Sequence, residues 1–182
     1  MKVLIVSDSH GLEDELEMIA ERHGKETDLM IHCGDSELDP SHPALSSYLT
    51  VKGNCDFYGE FKDEIVVPVG SKKLFFTHGH LYGIKQSLLN VYYRAEELGA
   101  DIICFGHSHI AGSELMDGKL LINPGSIRLP RVRKEKTYAI LNIDKDNATV
   151  RYYDLDGREV ESLTNHVQLT APSGGRIFFF LV

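Results

Sequence analysis

Runs of three or four apolar residues alternate with longer segments of helical spacing over the first hundred positions of the chain. Val3-Leu4-Ile5-Val6 is too continuous for a half-exposed strand and predicts one buried on both faces. Leu12, Leu16, Ile19, Ala20 and His23 then recur at helical spacing, with Gly24 as the stop. Leu29-Met30-Ile31 predicts a second strand, and Tyr48–Val51 a short third one after a loop carrying Pro40 and Pro43. Ile65–Val67 and Leu74–Phe76 read as paired strands around a Gly70-Ser71 turn. A second helix is marked by Leu88, Val91, Tyr92, Ala95 and Leu98 and stopped by Gly99; Ile102–Phe105 is one more buried strand.

From about residue 113 the pattern is all strand. Glu114–Met116, Leu120–Ile122, Tyr138–Ile143 and Thr149–Tyr153 are separated by Asp117-Gly118 and Asp146-Asn147 turns. The expected fold class is α/β: a layered α/β sandwich of two packed mixed β-sheets flanked by helices, with antiparallel pairing in the second half. No repeat, low-complexity tract or linker interrupts residues 1–170, which predict a single domain. Residues 171–182 read as a tail: Ala171-Pro172-Ser173-Gly174-Gly175 is linker-like, and Ile177–Val182 is either a last strand or a vector-derived scar.

Charge narrows the partners. A net charge of −8, from 27 acidic and 19 basic residues, argues against a basic face for nucleic acid. The local exception is Arg128, Arg131, Arg133, Lys134 and Lys136, which either steers an anion or, as the preferred reading, forms a solvated hairpin. No apolar stretch approaches the ~20 residues of a membrane helix, and nothing resembles a leader, so no membrane partner is expected. Cys33, Cys55 and Cys104 are odd in number and scattered, which predicts a reducing, cytoplasmic setting without a disulfide framework. The oligomeric state is open, with a homodimer among the options.

The chemistry lies where the strands stop. Five apolar runs each end in a polar cluster: Ser7-Asp8-Ser9-His10-Gly11, His32-Cys33-Gly34-Asp35, Gly53-Asn54-Cys55-Asp56, Thr77-His78-Gly79-His80 and Gly106-His107-Ser108-His109. Strands joined by crossover helices gather their carboxyl ends on one edge, so these clusters should converge there. One aspartate at a strand end is usually a cap or turn residue, and one histidine usually a hydrogen-bonded structural residue. Asp-x-His and His-x-His, however, place two ligands on one side of an extended segment. Five such endings in succession predict one metal site. Imidazole and carboxylate ligands without paired thiolates suit manganese, iron, zinc, nickel or cobalt. They are too many for one ion, and Asp35 is the best candidate for a shared bridge.

In this order the motifs strongly resemble the metallophosphoesterase (calcineurin-like) superfamily, over roughly residues 1–165. Within it the chain is most similar to the small bacterial and archaeal phosphodiesterases of the YfcE type, which also carry Gly-Asn-Cys-Asp and Asn-Pro-Gly-Ser. The resemblance implies Asp8, His10, Asp35 and His109 on one ion and Asp35, Asn54, His78 and His107 on the other, with Mn²⁺ the first choice. It also implies a small phosphate-ester substrate. His78 is preferred to His80 as the ligand, the reverse being the alternative. His80 then supports a ligand or faces substrate, and is grouped with Asp35 and Asn54 as catalytic.

The implied reaction is metal-dependent hydrolysis of a phosphoric ester, with a hydroxide bridging the two ions as nucleophile. Ser126, in Asn123-Pro124-Gly125-Ser126, has no neighbouring base and is expected to shape a turn. Cys55 departs from the Gly-Asn-His of many phosphomonoesterases. A thiol is a poor substitute for an imidazolium as a general acid, which favours diesters; Cys55 can also simply fill a small pocket. Two rivals share the fold: a non-catalytic scaffold like the retromer subunit, which should show degraded ligands, and a nuclease, which needs a nucleic-acid groove.

Overall fold

The computed structural model describes residues 1–169; the hexamer Ile177–Val182 lies outside them. The elements are β1 (Lys2–Val6), α1 (Glu13–His23), β2 (Leu29–His32), β3 (Leu49–Thr50), β4 (Glu64–Val69), β5 (Lys72–Thr77), α2 (Leu89–Leu98), β6 (Ile102–Cys104), β7 (Gly112–Met116), β8 (Lys119–Asn123), β9 (Thr137–Asp144), β10 (Asn147–Asp154) and β11 (Asn165–Gln168). A six-stranded sheet runs β11-β10-β9-β1-β2-β3, and a five-stranded sheet runs β4-β5-β6-β8-β7. Both are mixed.

The alternation of side chains explains why the runs are continuous. Val3 and Ile5 of β1, Leu74 and Phe76 of β5, and Ile102 and Cys104 of β6 point into the core between the sheets. Leu4 and Val6 face the other way, onto Leu16 and Ile19 of α1. Phe75, Ile103 and Leu121 cover Val91 and Ala95 of α2 on the opposite outer face. The result is four layers, helix–sheet–sheet–helix. Each fully buried Leu or Ile contributes about 1.5–3 kcal/mol, so a charge at Ile5 would break the central layer. Gly99 ends α2 in the left-handed region (φ 63°), with its N–H on the Ala95 and Glu96 carbonyls.

Two expectations need correction. The second half is not purely antiparallel, because β8 pairs parallel with β6 before β9 crosses back to pair antiparallel with β1. The basic segment 128–136 is therefore not a hairpin. It is the connection that carries the chain from one sheet to the other, and it passes over the strand ends. By contrast, Gly70-Ser71 does close a tight antiparallel pair, and the turn expected at Asp146-Asn147 falls one residue earlier, at Lys145-Asp146.

Candidate metal centre

The parallel strands β1, β2, β3, β5, β6 and β8 end on one edge of the sandwich. There the loops after β1 and β2 are zipped together by backbone bonds: Asp8 N–H to Gly34 O (3.0 Å), His10 N–H to Asp35 O (3.0 Å) and Gly11 N–H to Ser36 O (2.8 Å). The turns are sharp enough to hold Asp8, His10, Asp35, His107 and His109 at positive φ, between 44° and 64°. Non-glycine residues rarely adopt that region, at a cost of about 1 kcal/mol or more each. Glycine supplies the closeness. A Cβ on Gly53 would sit 2.1 Å from Asp35 Oδ1, and one on Gly106 would sit 1.9 Å from Ser7 Oγ.

Each carboxylate is anchored by one oxygen and free at the other. Asp8 Oδ2 accepts from Ser7 Oγ (2.6 Å) and from the His107 amide (3.1 Å). Asp35 Oδ1 accepts from the Cys55 amide at 2.7 Å. Around the free oxygens, His109 Nε2 lies 3.0 Å from Asp8 Oδ1, His78 Nε2 3.9 Å and His10 Nε2 4.0 Å. His78 Nε2 also lies 3.3 Å from Asp35 Oδ2 and 3.2 Å from Asn54 Oδ1.

The tautomers are fixed from behind. His78 Nδ1 donates to Cys33 O (2.8 Å), His109 Nδ1 to Leu129 O (2.8 Å), and His10 Nδ1 faces Glu37 Oε1 at 2.6 Å. A carbonyl or carboxylate only accepts, so each Nδ1 carries hydrogen and each neutral ring presents an Nε2 lone pair to the pocket. Lone pairs therefore face lone pairs. Asp8 Oδ1 and His10 Nε2 are buried with no hydrogen-bond partner. A cation resolves this geometry, and histidines oriented through their second nitrogen are the usual metal ligands. Among the described residues three groups pack their donor atoms within 4.8 Å: Asp8–His10–His109, Asp8–Asp35–His78 and His10–Asp35–Cys55.

Protonation follows the same layout. Burial works against ionising Asp35, but His78 and the Cys55 amide and thiol hold its carboxyl well below the usual range. Burial likewise opposes a charge on His78, and Asp35 and Asp8 outweigh it, raising its pKa. Asp8 raises His109 against burial. Burial and then His78 bring His107 down to about 4.

The three remaining histidines of the sequence motifs stand apart from these groups. The His107 ring packs 5.0 Å from that of His78, and the His80 ring lies 5.4 Å from His78, with its buried Nδ1 unpartnered. His32 is different again: Nδ1 accepts from the Gly34 amide and Nε2 meets Ser9 Oγ at 2.9 Å, which makes it a satisfied core histidine.

Sequence reasoning missed Asp56, Glu37 and Arg128, which hold the edge together, and found Ser126 only as a turn residue. Asp56 accepts from the Asp35, Gly53 and Glu37 amides and from Ser36 Oγ, at 2.7–3.0 Å. Glu37 orients His10. Ser126 donates to Asp8 O (2.7 Å) and accepts from the amides of Arg128 and Leu129, so its turn buttresses the site. Arg128 Nη1 reaches His10 O. Asp56 stood inside its motif, but its partners lie about 20 residues away and only the fold shows them.

Comparison with known proteins agrees with this chemistry. The model of the calcineurin-like phosphoesterase superfamily domain matches residues 1–146. Bacillus subtilis YsnB, a probable metallophosphoesterase, is 69% identical over 169 residues, covering 93% of this chain and 100% of its own. Escherichia coli phosphodiesterase YfcE is 25% identical, covering 79% and 89%. A solved Streptococcus pneumoniae structure, described as a predicted phosphoesterase, is 34% identical with a TM-score of 0.88, covering 92% and 97%.

Proposed function

The chain belongs to the calcineurin-like phosphoesterase superfamily, and from that membership we propose a phosphodiesterase working with two divalent cations. One observation carries the proposal: the Nε2 atoms of His10, His78 and His109 converge on the buried carboxylates of Asp8 and Asp35, and Asp8 Oδ1 and His10 Nε2 are left without a hydrogen-bond partner. Asp8, His10, Asp35 and His109 would hold one cation, and Asp35, Asn54, His78 and His107 the other, with Mn²⁺ preferred over Ni²⁺, Zn²⁺, Fe²⁺ and Co²⁺ for this ligand set. When bound, such a pair neutralises phosphoryl charge and activates water.

The protein's own groups do the positioning. The Cys55 amide fixes Asp35 between the two ligand groups, and Asp56 fixes the loop that carries it. Asn54 turns its amide oxygen towards His78 and its nitrogen towards Cys55 Sγ. Cys55 stays a thiol, pushed up to about 11 by burial and by Asp35, so it is a weak proton donor. Half-buried His80, whose ring lies 5.4 Å from that of His78, is the candidate acid for the leaving oxygen. This favours diesters and activated aryl esters over alkyl monoesters. Three unpaired cysteines are consistent with a cytoplasmic setting, and no described helix is long and apolar enough to cross a membrane. The scaffold reading is disfavoured because no ligand position is degraded.

The test combines stoichiometry and rate. Chelated protein reloaded with Mn²⁺ should bind two ions per chain and cleave bis(4-nitrophenyl) phosphate faster than 4-nitrophenyl phosphate. One ion per chain, or hydrolysis that survives chelation, would defeat the proposal.

A further inference from the structure

Beside the ligand cluster the surface opens into a pocket of about 760 Å³. Its apolar walls are Ile84, Leu88, Phe105, Ile110 and Leu121, drawn from the α2 side and from the ends of β6 and β8. Three of its lining residues adjoin the metal edge. Ser108, between His107 and His109, lines it; so does Asn123, whose Nδ2 holds Ser108 Oγ at 2.9 Å. Arg131 lines it too, and its amide donates to His109 O at 3.0 Å.

Charge gives the pocket a preference. Lys85 and Arg131 both line it, and among the described residues neither forms an ion pair; Glu114 is the one acidic group on the wall. A pocket of this size, apolar with a few polar groups, suits an aromatic ligand much larger than the phosphate itself. Unpaired cations beside it suit an anion.

We propose that this pocket is the subsite for one ester arm of the substrate, an aromatic group of nucleoside size bearing a further negative charge. The proposal rests on the phosphodiesterase reading and specifies the substrate class for it.

Three diesters with the same 4-nitrophenolate leaving group test it, their retained arm being methyl, a nucleoside, or a nucleoside carrying an added phosphate. On Mn²⁺-loaded protein, kcat/KM should rise about tenfold with the nucleoside and about tenfold again with the phosphate, in the range apolar and charged contacts provide. Ile110→Glu should shrink the nucleoside-to-methyl ratio, and Lys85→Ala the ratio gained from the added phosphate. Equal rates for the three esters, or variants that slow all three equally, would overturn the subsite.

If no diester is cleaved with any metal, the phosphodiesterase reading has failed, and binding decides on the pocket. Metal-free protein titrated with a nucleoside 3′,5′-bisphosphate should shift the methyl NMR signals of Ile84, Leu88, Ile110 and Leu121. Shifts confined to other methyls would overturn the subsite independently of catalysis.

Discussion

The two ends of the sandwich use the same backbone conformation for opposite purposes. At the end holding the Gly70, Asp117-Gly118 and Lys145-Asp146 turns, left-handed residues close hairpins between antiparallel strands. Glycine takes much of the load there, and the polar side chains are solvated. At the other end, left-handed Asp8, His10, Asp35 and His109 all belong to the compact donor groups, and left-handed His107 lies beside them. Asp8 is fully buried, and its free oxygen has no hydrogen bond. Strain is tolerated at the ligand edge because the surrounding structure over-determines it: Asp56 alone accepts four hydrogen bonds from the loops concerned. One end is built for turning the chain and the other for holding charge.

Removing that charge should have the largest effect. Asp35→Asn keeps the shape and the Cys55 contact but halves the anionic oxygen facing His78. Turnover of an aryl diester should fall by about three orders of magnitude, the several kcal/mol that charge stabilisation supplies. Metal analysis should show the loss of at least one ion. Near-normal turnover would mean that Asp35 is not shared. Asp56→Asn ranks next. It touches no ligand atom, so it should cost about 10–100-fold in metal affinity, with turnover recovered as metal is raised. A defect that excess metal leaves unchanged would place Asp56 in the folding of the edge rather than in its tuning.

The division between the ends also decides what could be read from sequence. β1, β2, β5 and β6 were legible because burial on both faces leaves continuous apolar runs, and their stops were legible as ligand clusters. β11 was not: Asn165-His166-Val167-Gln168 has one apolar residue and is an edge strand held by pairing with β10. The parallel pairing of β8 with β6, and the crossing of residues 128–136 over the site, were illegible because pairing partners are non-local. The same limit hid Asp56 and Glu37, whose roles exist only between loops; Ser126 was legible as a turn residue, but its bond to Asp8 O was not. Nor did the sequence show where His107 sits: its motif marked it as a ligand, and in the fold its ring meets that of His78 edge-on, outside the three compact groups.

Cys55 sharpens the comparison, since its amide holds Asp35 while its thiol lies at the ligand edge. Its Sγ lies among His10 and Asp35, and Asn54 Nδ2 contacts it at 3.3 Å. Cys55→His would place a readily protonated group there. Monoester turnover should rise by about one to two orders of magnitude, at or below the usual contribution of a general acid. The readout is the dependence of rate on leaving-group pKa, which should flatten in the variant. No gain with an intact metal site would assign the proton to His80 instead.

The smallest effect is expected at the turning end, from Gly70→Ala. Gly70 has φ 66°, and a Cβ built there meets nothing within 4 Å, so the substitution introduces no clash. What it costs is conformational, about 1–2 kcal/mol for an L-residue forced into the left-handed region. Part of that is offset because alanine also restricts the unfolded chain, by about 0.4–1 kcal/mol. The net loss of about 1 kcal/mol should lower Tm by roughly 2–4 °C for a chain of this size. Turnover below Tm should not change, because the β4–β5 turn lies at the far end of strand β5 from His78. Thermal unfolding and diester turnover, measured on the same preparation, check both halves. A loss of activity at full folding would show that the two ends are coupled through β5, and the separation drawn between them would not hold.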